Sequence, residues 1–156
     1  MNIVLDTGSL DTLHKALTQF PKLAKQEIRA TMHAVTGLLT GEVVDRTPVR
    51  TSHLRGSIHP FVQDIPGGML GIVGTSVNYA IPVELGTKPH DIRPRNGKAL
   101  AFMFRGAKVV LGGVHHPGTT GSFMFTNALR DNKAEIERQF ASMVQRLTDR
   151  LAGAAK

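Results

Sequence analysis

Residues 125–151, FTNALRDNKAEIERQFASMVQRLTDRL, place Phe125, Leu129, Ile136, Phe140, Met143, Leu147 and Leu151 at intervals of three, four and seven. That spacing puts all seven on one face of an α-helix of roughly seven turns, with charged residues on the solvated face. The helix is expected over 122–152. A coiled-coil seam would hold a stricter period of 3.5, whereas Phe and Met in the stripe and a drift toward 3.6 fit packing onto a sheet. The stripe therefore needs an apolar partner layer elsewhere in the chain.

Working upstream, two more helical runs and two hairpins supply candidates. Ser9 can cap a short helix over 9–20 with Leu10, Leu13 and Leu17 on one face, which Pro21 is expected to end. Proline suits the first turn of a second helix over 21–46, whose stripe is Ala24, Ile28, Met32 or Val35, Leu39 and Val43. Thr47-Pro48 stops it, because a residue before proline is pushed out of helical geometry. Ile58, Phe61 and Val62, a Pro66-Gly67-Gly68 turn, then Leu70, Ile72 and Val73 predict a hairpin over 57–75. Leu100, Phe102 and Phe104 alternate with Ala101 and Met103 and turn through Arg105-Gly106 into Val109, Val110 and Leu111, a second hairpin over 99–111. Residues 75–98, rich in Gly, Pro and Arg, read as a long loop, and such loops in a compact domain are commonly functional. The expectation is a single α+β domain over 1–156: an antiparallel sheet of about four strands flanked by two long helices.

Composition narrows the function classes. With 156 residues, 41% of them hydrophobic, one core can be buried. Cysteine is absent, which excludes disulfides, thiolate chemistry and Cys-based zinc sites, and leaves the redox compartment open. Met1 to Leu5 is a short apolar opening interrupted by Asp6, so no export signal is expected, and no run nears the roughly 18 apolar residues of a membrane span. The formal net charge of +7 is uneven: −1 over residues 1–45, +6 over 46–108 and +2 over the remainder. A basic centre suits a polyanionic neighbour, either nucleic acid or an acidic protein surface. One Tyr and no Trp leave little from which to build a base-stacking platform.

Several residue clusters have chemistry-bearing types without the spacing the chemistry needs. His59, His90, His115 and His116, with Glu84 or Asp91, match no metal-ligand motif, and adjacent His115 and His116 diverge in extended backbone. No metal or other cofactor is expected. Ser76, Ser122, His90, His116 and Asp91 offer hydrolase residue types with no Gly-x-Ser-x-Gly elbow, so no enzyme is expected. Gly71-Ile72-Val73-Gly74 and Gly112-Gly113 lack the Gly-Lys-Ser/Thr of a Walker loop and read as turn or bulge glycines.

Four ordered stretches carry a resemblance. They are Thr47-Pro48-Val49-Arg50-Thr51-Ser52-His53-Leu54-Arg55-Gly56-Ser57-Ile58; Val73-Gly74-Thr75 through Tyr79-Ala80 to Val83-Glu84-Leu85-Gly86-Thr87; His90-Asp91-Ile92-Arg93-Pro94 with Lys98-Ala99-Leu100-Ala101-Phe102; and His116-Pro117-Gly118-Thr119 with Phe123 to Leu129. Their order and separation resemble the phage neck and tail-completion proteins, minor tail components of phages with long non-contractile tails. Ser52 stands where the family pattern has a glycine, and Gly121-Ser122 where it has a Gln-Pro-like pair. The motif residues read as joints: Gly74, Gly86 and Gly118 permit turns, and Thr75, Thr87 and Thr119 can bond nearby backbone.

The resemblance implies a structural virion protein, made in the bacterial cytoplasm, that forms a homo-oligomeric ring of six copies. The ring would lie between head-closure (connector) proteins and the tail terminator, with the genome passing through it and no membrane involved. A closed ring needs head-to-tail contacts between unlike faces. The expected interface residues are Thr75, Tyr79, Glu84, Gly86, Thr87, His90, Ile92, His116 and Pro117, with Glu84 paired to Arg93 or Arg55 in the same subunit or the next. The expected basic surface, toward DNA or an acidic ring, is Arg50, Arg55, Arg93, Arg95, Lys98, Arg105 and Lys108. The competing expectation is a stand-alone basic nucleic-acid-binding protein, on the pI near 10.3 and the central charge.

Overall fold

A computed structural model describes residues 8–50, 52–95 and 97–154. Helix α1 is Gly8–Arg46, followed by a one-turn helix α2, His53–Gly56, and strands β1, Ile58–Ile65, and β2, Gly68–Thr75. Then come α3, Ala80–Leu85; β3, Gly86–Thr87; β4, His90–Ile92; β5, Leu100–Phe104; and β6, Ala107–Leu111. Strands β7, Val114–His116, and β8, Thr119–Thr120, precede the long helix α4, Met124–Ala154. No helix among the described residues is long and apolar enough to cross a membrane.

The fold is mixed helix and strand, with two long helices among the described residues, and the chain divides into two compact units. Val77–Phe123 is one compact unit, and Met1–Ser76 with Met124–Lys156 is the other. Among the described residues the strands hydrogen-bond as four separate two-stranded antiparallel pairs, β1-β2, β3-β8, β4-β7 and β5-β6, instead of one sheet of about four. The two longer hairpins belong to different units, so they do not share a ladder.

In the larger unit α1 and α4 lie antiparallel. Arg146 and Arg150 of α4 reach Glu27 at 3.2 and 3.0 Å, while Arg46 at the other end of α1 reaches Asp131 at 3.3 Å. Val35, Val43, Leu54, Ile58, Met124, Ala128 and Met143 form its buried apolar core. The Thr47 hydroxyl donates back to the Val43 carbonyl at 2.6 Å and lies 3.2 Å from the Met124 sulfur, closing the helix end over that core. Ala128 is fully buried, whereas Leu129 of the expected stripe is 57% exposed. The helix is rotated by one residue at its start because the close approach of two helices favours the smaller side chain.

The β1–β2 hairpin packs one face on α1. Lys25 and Arg29 of α1 hold Asp64 of β1 at 3.0 and 2.7 Å, and a Cβ on Gly71 would meet Met32 and Thr36. Lys25 and Arg29 together hold the Asp64 carboxyl below the usual carboxylate range.

Two helix expectations change. Pro21 does not divide α1; it sits inside a continuous helix of 39 residues. The backbone bond it forfeits would end on the Leu17 carbonyl, and both residues are exposed there, so water can satisfy that oxygen. Ser9 lies within the helix; its side chain and those of Leu10 and Leu13 fall outside the described residues, as do residues 1–7. The expected loop over 75–98 also holds structure: the end of β2, then α3, β3 and β4. The partners of β3 and β4 are β8 and β7, well downstream and beyond the reach of local periodicity.

Candidate functional site

Within Val77–Phe123 the chain returns on itself, so that motif residues from separate stretches become neighbours. Gly86 pairs with Thr120 and Thr87 with Thr119 in β3–β8; His90 pairs with His116, Asp91 with His115 and Ile92 with Val114 in β4–β7. Between these two short ladders stand Lys88-Pro89 and Pro117-Gly118. Neither proline has an N–H to donate, which is why one ribbon is split in two.

The split is bridged by very close backbone approach. A Cβ on Gly118 would lie 2.3 Å from the Thr87 carbonyl, one on Gly86 2.3 Å from the Thr119 carbonyl, and one on Gly121 2.4 Å from the Glu84 carbonyl. Gly86 and Gly118 also have φ of 78° and 89°, which side chains resist. The Thr87 hydroxyl accepts from the Thr119 N–H at 3.0 Å and lies 3.0 Å from the Thr119 hydroxyl. The Val83 and Glu84 carbonyls accept the Ser122 and Phe123 N–H groups at 2.9 and 3.0 Å. Strand alternation is thus replaced here by a seam of backbone on backbone.

Successive residues of β4–β7 point to opposite sides. The His90 and His116 rings stack at 5.2 Å with 27° between planes, and on the other side His115 Nδ1 lies 2.8 Å from an Asp91 oxygen. His90 Nδ1 donates to the Lys88 carbonyl at 2.9 Å, while His116 Nδ1 accepts from the Gly118 N–H at 3.0 Å. The backbone therefore sets a different tautomer for each ring. The stacked rings lie against one another and do not converge on a point; no group of three or more His, Asp and Glu among the described residues could hold a metal. The hydrolase residue types are not aligned either: the Ser122 hydroxyl donates to the Val83 carbonyl at 3.0 Å, and Asp91 orients His115.

The expected interface residues Tyr79, Glu84, Gly86, Thr87, His90, Ile92, His116 and Pro117 all fall in this unit, and all but Tyr79 lie on or beside the ribbon. Thr75 does not: it ends β2 in the other unit, with its hydroxyl 2.6 Å from that of Ser57. The expected basic surface also divides. Arg50 and Arg55 belong to the larger unit, where Arg55 pairs with Asp45 at 3.0 Å. Arg93, Arg95, Lys98, Arg105 and Lys108 belong to the smaller unit, are exposed, and form no ion pair among the described residues.

Two features escaped the sequence reading. The Asp91–His115 bridge needed the β4–β7 register, which no periodicity gives. The β5–β6 hairpin leaves Phe102, Met103, Phe104 and Val110 exposed, on both faces. Its signal was legible, because residues 99–104 are apolar without interruption where a half-buried strand would alternate. Comparison with protein-family models, curated proteins and solved structures finds no match.

Proposed function

We propose that this chain is a structural subunit of a phage virion, forming a ring of six at the head-proximal end of the tail, through which the genome passes. The four ordered motif stretches support that reading. The observation that carries it is the use made of them: Glu84-Leu85-Gly86-Thr87, His90-Asp91-Ile92 and His116-Pro117-Gly118-Thr119 meet in one ribbon, where glycines serve backbone contact. Motif residues spent on backbone joints suit a non-catalytic scaffold, whose neighbours are the tail terminator and the head-closure proteins.

In this reading the unpaired cations Arg93, Arg95 and Lys98 meet an acidic neighbouring ring. Replacing all three with Ala or Gln is expected to leave the subunit folded by circular dichroism while heads and tails accumulate unjoined. Normal infectious yield from the triple variant would refute it.

The same exposed cations favour a second reading, a stand-alone nucleic-acid-binding protein. Duplex binding by purified monomer at physiological ionic strength, weakening steeply with salt, would support that reading over the ring.

A further inference from the structure

The β5–β6 hairpin has one face that is apolar throughout, formed by the cross-strand pairs Leu100–Leu111, Phe102–Val109 and Phe104–Ala107. Phe102, Phe104 and Leu111 on that face are 40%, 57% and 42% exposed. A two-stranded hairpin is marginal on its own, and burying such a face is what ordinarily stabilises it. The larger unit carries a second uncovered sheet face. Asp64 and Gly71 point β1–β2 toward α1, so the alternate residues Phe61, Leu70 and Ile72 point away from it, and they too are exposed.

We infer that the apolar face of β5–β6 in one copy packs on the outer face of β1–β2 in the next, sheet on sheet, making the head-to-tail contact of the assembly. The occupant is taken as a second copy because the inference rests on the ring reading, and area and charge agree with it. At the ~150–250 Å² that a buried aromatic hides, each face exposes roughly 300 Å² of apolar side chain, a fitting apolar centre for an interface of about 800 Å² per partner. The outer face of β1–β2 carries no Lys or Arg, its remaining positions being His59, Gln63, Ile65 and glycines. A basic hairpin therefore meets no like charge there. Each copy offers one face of each kind, so the contact is heterologous and repeats until a ring closes.

Cysteine is absent from the chain, so introduced thiols report cleanly. Full-length Phe104→Cys and Ile72→Cys chains are mixed and treated with a short bismaleimide, and light scattering follows Phe104→Asp and Met103→Asp chains. The expected result is a cross-link in the mixture and in neither chain alone. Phe104→Asp should raise the dissociation constant on the order of 30-fold or more, as for an interface hot spot. Met103→Asp, on the opposite face, should leave the oligomer intact. An oligomer that survives Phe104→Asp and gives no mixed cross-link overturns the contact while leaving the ring standing. A wild-type chain that stays monomeric at every concentration overturns both. Should Phe104→Asp fail to fold, the cross-link alone decides.

Discussion

Gly118 and Gly67 have nearly the same backbone twist, φ 89° and 83°, in opposite surroundings: Gly118 faces the Thr87 carbonyl, whereas Gly67 faces open space. Alanine at Gly67 should cost about 1 kcal/mol, the ordinary penalty of left-handed backbone, while alanine at Gly118 adds a clash with main chain and should cost several times more. Chemical denaturation of the two variants side by side tests the difference; equal losses would mean that the ribbon yields easily. Ser52 presents the reverse case. It holds φ 57° at the start of α2, a backbone conformation that glycine adopts without strain. Ser52→Gly is expected to stabilise the chain by about 1 kcal/mol, seen as a higher denaturation midpoint at unchanged slope.

Among the elements, α1 gives the clearest lesson in what a sequence discloses. Its stripe was legible because Val35 and Val43 sit at helical spacing and are buried. Its continuity was not, because whether Pro21 breaks a helix depends on whether the orphaned carbonyl of Leu17 reaches water, which is a property of the packed chain. Pro21→Ala should restore that bond and raise stability by about 1–3 kcal/mol, measured by thermal unfolding. The two longer hairpins were legible from alternation and turn glycines. The β3–β8 and β4–β7 pairs were not, since two- and three-residue strands carry no period.

Ion pairs tie α1 to its neighbours and set a pH dependence. The carboxyls of Asp64, Glu42 and Asp131 are held below their ordinary range, chiefly by Lys25, Arg46 and Arg130 respectively. Depressed carboxylates contribute stability that is present above their unfolded pKa values and is lost as pH falls through the folded ones. Stability should therefore be flat from neutral to about pH 5 and decline below about pH 4, in the ordinary carboxylate range. Added salt should weaken the effect, because all three groups are solvent-exposed. A decline centred near pH 6 instead would point to histidine.

At the scale of the molecule, the smaller unit is an insertion: α1 lies before it, α4 after it, and their packing forms much of the larger unit's core. During translation, the ribosome must therefore deliver the hairpins and the whole insertion before α1 can meet its partner. At about 5–20 residues per second, the part of α1 that α4 covers waits several seconds, long enough for chaperones to engage it. Nascent chains arrested just before Met124 should show α1 cleaved readily by protease, and chains arrested after α4 has emerged should show it protected. The order of synthesis thus makes the last helix the step that commits the chain to its fold.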